Sequence, residues 1–120
     1  MDERLEKALG FSNYMVTLNN QKRVIKEKFH EDLLYFISGC QFTVTKELIT
    51  FVGLLANRGT DQNAVLTDDN DIPLQIEDLS KFYDDILDVY FTASNSYFAK
   101  YEDLKKNRRI ETLVGYEQQN

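Results

Sequence analysis

Residues 78–104 read DLSKFYDDILDVYFTASNSYFAKYEDL, and the spacing of their apolar side chains decides the fold. Leu79, Phe82, Tyr83, Ile86, Tyr90, Ala93, Tyr97, Tyr101 and Leu104 recur at three- and four-residue steps, and Leu87, Phe91 and Phe98 widen the same stripe. A period near 3.6 puts them on one side of an α-helix and leaves Asp84, Asp85 and Asp88 on the other. The pattern predicts an amphipathic helix of about 30 residues, roughly 45 Å long at 1.5 Å per residue. Beyond it, RRIETLVGYEQQN (residues 108–120) keeps a short apolar cluster of Ile110, Leu113 and Val114 before turning polar. That end is expected to fray or to dock elsewhere.

Upstream of this helix, residues 64–76 (AVLTDDNDIPLQI) carry a hairpin signal. Asp68, Asp69, Asn70 and Asp71 crowd the turn because their short side chains bond their own backbone and tolerate left-handed conformations. Pro73 has no N–H to donate, so its strand belongs at an edge or a bulge. A second hairpin signal lies in residues 33–45 (LLYFISGCQFTVT), where Ser38 and Gly39 separate apolar strands and Gly supplies a positive φ. Residues 32–37 also fit as an extension of the preceding helix. Between the hairpins, residues 46–59 (KELITFVGLLANRG) form a helix, with Thr45 as its N-cap and Gly59 as its stop. Leu48, Ile49, Phe51, Val52 and Leu55 make it apolar on most sides, so it is expected to be buried. The first stretch, from Asp2 or Glu3 to about His30, is helical in pattern, with Gly10, Asn19 and Asn20 as points where it could kink or break.

The resulting expectation is a mainly helical α+β fold in the order helix, hairpin, helix, hairpin, helix, with a small antiparallel sheet and a long C-terminal amphipathic helix. At 120 residues the chain is expected to be one α+β domain over residues 1–114, followed by a polar tail at residues 115–120. No apolar run reaches the ~18 residues of a membrane span, and the charged start MDERLEKALG does not read as a signal peptide.

Twenty acidic and 14 basic residues leave a net charge of −6, which argues against a nucleic-acid backbone as the main partner. Distribution matters more than the sum. The stretch from Asp68 to Asp88 holds eight acids and one base, Lys81, whereas bases cluster at Lys22, Arg23, Lys26 and Lys28 and again at Lys100, Lys105, Lys106, Arg108 and Arg109. Matched acidic and basic regions suit pairing with another copy or with an acidic partner.

The chemistry-bearing residues are sparse. The lone Cys40 excludes an intramolecular disulfide, and with His30 as the only histidine it forms no nucleophile signature or zinc ligand set. Tested as a calcium loop, residues 68–79 place Ile72 where an oxygen ligand is needed and Pro73 where Gly is required. No Gly-rich phosphate loop or nucleophile elbow is present. No catalytic residue, metal ligand or cofactor is therefore assigned, and a non-enzyme is expected. Tyr83, Tyr90, Phe91, Tyr97, Phe98 and Tyr101 are the candidate self-association surface, because two long helices exceed what two short hairpins can cover.

The blocks NNQKRVIKEKF (residues 19–29), GCQFTVTKELITFV (residues 39–52) and residues 64–108 together resemble a set of small proteins of tailed, myovirus-type phages of marine cyanobacteria and of ocean-metagenome sequences. The resemblance carries no functional motif and transfers no site residue. It implies a phage-encoded protein acting in the cytoplasm of the infected host cell or in the virion, neither secreted nor in a membrane. The expected function is an interaction or assembly module that forms a homo-oligomer and docks onto a phage or host protein. The alternative is a nucleic-acid-binding accessory factor using Lys22, Arg23, Lys26 and Lys28 with Lys105, Lys106, Arg108 and Arg109.

Overall fold

A computed structural model of the chain describes residues 2–59 and 63–118, with side chains described as far as Asn107. The element order is α1 (Glu3–Asp32), β1 (Leu34–Ile37), β2 (Cys40–Thr43), α2 (Lys46–Asn57), β3 (Ala64–Thr67), β4 (Pro73–Ile76) and α3 (Leu79–Gln118). This is the expected mainly helical α+β arrangement. The strands form two separate two-stranded antiparallel sheets, β1 with β2 and β3 with β4. The chain contacts divide into two compact units, one of residues Phe29–Asn95 and one of Met1–Lys28 with Ser96–Asn120. Helices α1 and α3 each contribute to both.

The hairpin unit, residues 29–95, is built around a closed apolar core. Ser38 (φ 50°) and Gly39 (φ 78°) make a two-residue turn with both central residues left-handed, the geometry that matches strand twist. This resolves residues 34–37 as strand, with Tyr35 opposite Phe42 and Ile37 opposite Cys40. Side chains alternate along β2, so Cys40 and Phe42 are buried, and along β3, where Ala64 and Leu66 are buried. Val44, Val52, Leu79, Phe82 and Ile86 complete the cluster with Ile76. The Phe82 ring meets Phe42 edge-on at 5.4 Å and Tyr35 at 5.8 Å, the favourable geometry for aromatic quadrupoles. Pro73 opens β4 opposite Thr67, in a two-stranded sheet where every strand is an edge.

Thr45 caps α2 as expected, its hydroxyl accepting from Leu48 N–H at 3.1 Å. Gly59 (φ 77°) ends the turn, with its N–H donating to the Ala56 carbonyl at 3.2 Å. The expectation that α2 is buried on most sides is corrected. Only Val52 is fully buried; Leu48, Ile49, Leu55 and Ala56 pack against the core in part, while Phe51 and Leu54 are half-exposed. The core lies on one side of this 12-residue helix, so apolar residues around its full circumference cannot all reach it.

Helix α1 begins where Asp2 accepts from Arg4 N–H at 3.1 Å and runs 30 residues without interruption at Gly10, Asn19 or Asn20. Each of those residues costs under about 1 kcal/mol relative to Ala, too little to break a helix of this length. Helix α3 is also longer than expected, 40 residues or roughly 60 Å, because residues 105–118 continue it.

Candidate functional site

The acidic turn between β3 and β4 does a structural job in the hairpin unit. Asp68 is 6% exposed, and its carboxylate accepts from the N–H groups of Asn70 (2.9 Å), Ile72 (2.8 Å) and Gln41 (3.2 Å). Asp69 accepts from Thr43 N–H (3.0 Å), the Thr43 hydroxyl (2.6 Å) and the Gln41 side-chain amide (3.1 Å). Its own N–H donates to the Gln41 carbonyl at 2.8 Å. The β3–β4 turn thereby satisfies the outer edge of β2, and two sheets with no shared ladder are stitched together by carboxylates. The hydrogen bond from Ile72 N–H holds the Asp68 carboxyl below its ordinary value against desolvation, with Gln41 and Asn70 adding to the effect. For Asp69, desolvation pushes upward but the Thr43 hydroxyl, its amide and Gln41 outweigh it, so that carboxyl is lowered too.

Asp85 is not simply a solvated carboxylate on the outer face of α3. It is half-buried and accepts from the Tyr35 hydroxyl at 3.0 Å. Burial pushes the Tyr35 phenol above its ordinary value, and the hydrogen bond to Asp85 and that group's charge push it further. Asp68, Asp69 and Asp85 are therefore engaged by the chain's own donors. No group of three or more His, Cys, Asp or Glu that could hold a metal ion occurs among the described residues. Cys40 is buried in the apolar cluster.

The six residues of the candidate aromatic surface differ in exposure. Tyr83 and Tyr90 are half-buried against the core of the hairpin unit, Tyr83 lying so close to Gly53 that a Cβ there would stand 3.2 Å from its ring. Tyr97 and Tyr101 are half-buried and meet edge-on at 6.2 Å. Phe91 (56% exposed) and Phe98 (68%) remain open to water.

In the helix-pair unit, residues 1–28 and 96–120, α1 has no buried side chain. Tyr14, Leu18 and Ile25 are half-buried on one side of α1. Leu5, Leu9 and Val16, spaced by four and seven residues, occupy another side and are about half exposed. Val16 and Leu18 stand about 200° apart around the helix, so α1 is apolar on opposite faces. That pattern suits a helix with neighbours on both sides.

The same unit brings members of the two basic clusters together. The ammonium groups of Lys22 and Lys105 lie 5.9 Å and 5.4 Å from the centre of the Tyr101 ring, within cation–π range. Acidic neighbours offset part of this charge, since Arg23 pairs with Glu27 at 3.7 Å and Lys105 with Glu102 at 3.4 Å. Lys26, Lys28 and Lys106 are exposed, and the side chains of Arg108 and Arg109 lie outside the described residues.

Between the two helices of this unit runs an open groove of about 490 Å³. Thr17, Asn20, Gln21, Val24 and Ile25 supply one wall, and Lys100, Asp103, Leu104 and Asn107 the other. Each wall follows a row of three- and four-residue steps, which is the ridge a packed helix presents to a neighbour. No described helix is long and apolar enough to cross a membrane. No family model matches the chain, and neither a curated protein nor a solved structure matches it.

Proposed function

We propose that the protein is a non-enzymatic interaction module that self-associates through the apolar surface of its helix pair. One observation carries this reading. Leu104 is the only buried apolar side chain described in the helix-pair unit, while Leu5, Leu9, Phe11, Val16, Val24 and Phe98 there are each about half exposed or more. A pair of helices with so little interior gains stability mainly by packing against further helices. Exposed apolar residues on this scale, rimmed by polar ones, are the ordinary mark of an interaction surface. With the resemblance to cyanophage-encoded proteins, the assembly is proposed to act in the infected cell or the virion, where the acidic hairpin unit faces a phage or host partner.

Light scattering after size exclusion tests this. The wild-type chain is expected at the mass of a dimer or larger at tens of micromolar, and Val24→Lys should shift it toward monomer. A clean monomer across that concentration range overturns the reading.

A second reading is nucleic-acid binding, favoured by the convergence of Lys22 and Lys105 on Tyr101, where a base could stack beside two cations. The pairing of Lys105 with Glu102 and of Arg23 with Glu27 weakens it. An electrophoretic shift that disappears steeply with added salt would favour this reading over self-association.

A further inference from the structure

The groove of the helix-pair unit has a polarity of its own. Its apolar lining comes from Val24 and Ile25 on one wall and Leu104 on the other, and Val24 is 58% exposed. Its α3 wall carries Lys100 and Asp103, opposite charges one helical turn apart. Neither has an ion-pair partner among the described residues, whereas the neighbouring Lys105 and Glu102 pair with each other. Thr17, Asn20 and Asn107 add groups able both to donate and to accept.

An interface that closes on itself by a two-fold axis must be self-complementary, so that residue i meets residue j of the partner and residue j meets i. Lys100 and Asp103 satisfy that condition. An axis passing between them brings the ammonium of each copy to the carboxylate of the other, forming two reciprocal pairs. Donor–acceptor side chains such as Asn meet the same demand, since either can turn to face its symmetry mate. A foreign helix would need an acid and a base at the matching separation; a second copy brings both. The open shape also suits a helix face, because a small molecule would keep one side in water.

We infer that this groove is the seam between two copies of the chain, joined about a two-fold axis into a four-helix arrangement in which Lys100 of each copy faces Asp103 of the other. This rests on the proposed self-association and specifies its surface. Val24 supplies the exposed apolar centre of the seam, beside the already buried Leu104, and the reciprocal charges set its register and orientation, the usual part played by rim charges.

The test is a charge exchange on the full chain, read by sedimentation equilibrium. Lys100→Asp places two acids opposite two acids, and Asp103→Lys places two bases opposite two bases. Each variant alone is expected to dimerise about tenfold more weakly than wild type. An equimolar mixture of the two restores all opposite-charge pairs and is expected to form a heterodimer of near wild-type affinity, as is the double variant with itself. Helical circular dichroism of each diluted variant verifies that the exposed substitutions leave the fold intact. If wild type associates and both single variants match it, or if the mixture gains nothing over the singles, the seam lies elsewhere and the groove belongs to a foreign helix or a small apolar molecule. A wild-type monomer would instead overturn the proposed function itself, so the two failures are distinct.

Discussion

The hairpin unit and the helix-pair unit differ in where they keep their apolar side chains. In residues 29–95, Phe42, Val44, Val52, Leu79, Phe82 and Ile86 are almost wholly removed from water. In residues 1–28 no side chain of α1 is buried, and Leu5, Leu9 and Val16 face outward. The contrast separates two roles that small proteins often merge. One region holds the fold by its own interior, and the other offers surface whose burial depends on a neighbour.

The strongest way to break this comparison is to hollow out each region in turn. Phe82→Ala removes the ring that two other aromatic rings contact and should cost about 3–5 kcal/mol in chemical denaturation, independent of protein concentration. Leu104→Ala should cost about 2 kcal/mol, the low end for a buried leucine, and should lower the thermal midpoint more in concentrated than in dilute protein. Equal losses with no concentration dependence would mean the two regions are alike.

Next in size is the stitch between the hairpins. Asp69→Ala removes three hydrogen bonds to β2 and should cost about 1–2 kcal/mol, since the site is open to water. Acid tests the same feature. The carboxyls of Asp68 and Asp69 are held below the ordinary 3.8, so the unfolded chain takes up protons first as pH falls. Their contribution is complete above about pH 4 and is lost as pH drops through the lowered folded values. The urea midpoint of wild type should therefore fall more between pH 5 and pH 2.5 than that of Asp69→Asn; parallel falls would remove Asp69 from the account. The raised Tyr35 phenol acts at the other end, its share being complete below pH 10 and lost as pH climbs toward the folded value.

Much of the hairpin unit was legible because its signals are local. Ser38 and Gly39, Thr45 and Gly59 each act on backbone within a few positions, and the structure uses each as its residue type dictates. The carboxylate stitch was not legible, because Asp69 reaches Thr43 across 26 positions and no periodicity records such a contact. The same limit hid the fate of Tyr83 and Tyr90. Helical spacing put them on one stripe with Phe91 and Phe98, but only packing shows that the first two lie against the core while the others stay in water. The groove was not legible because its two walls come from helices some 80 positions apart in sequence. The second apolar face of α1 is present in the spacing of Leu5, Leu9 and Val16, but spacing alone does not say which of two apolar faces is covered.

Smaller effects sharpen the comparison further. Thr45→Ala removes the α2 cap and should cost about 1 kcal/mol by thermal melting, since an N-terminal amide loses its acceptor. Arg23→Ala deletes an exposed ion pair one turn long on α1 and should change stability by less than about 0.5 kcal/mol. A larger loss there would show that α1 relies on its own side-chain pairs rather than on a neighbour.

The most direct test of the division of roles is amide hydrogen exchange of the wild-type chain at two protein concentrations, one micromolar and one near millimolar. Residues 3–25 and 97–107 should exchange markedly more slowly in the concentrated sample, while the amides of residues 34–57 and 64–93 should gain much less. Equal protection of the helix pair at both concentrations would show that it is completed within one chain and would contradict the account.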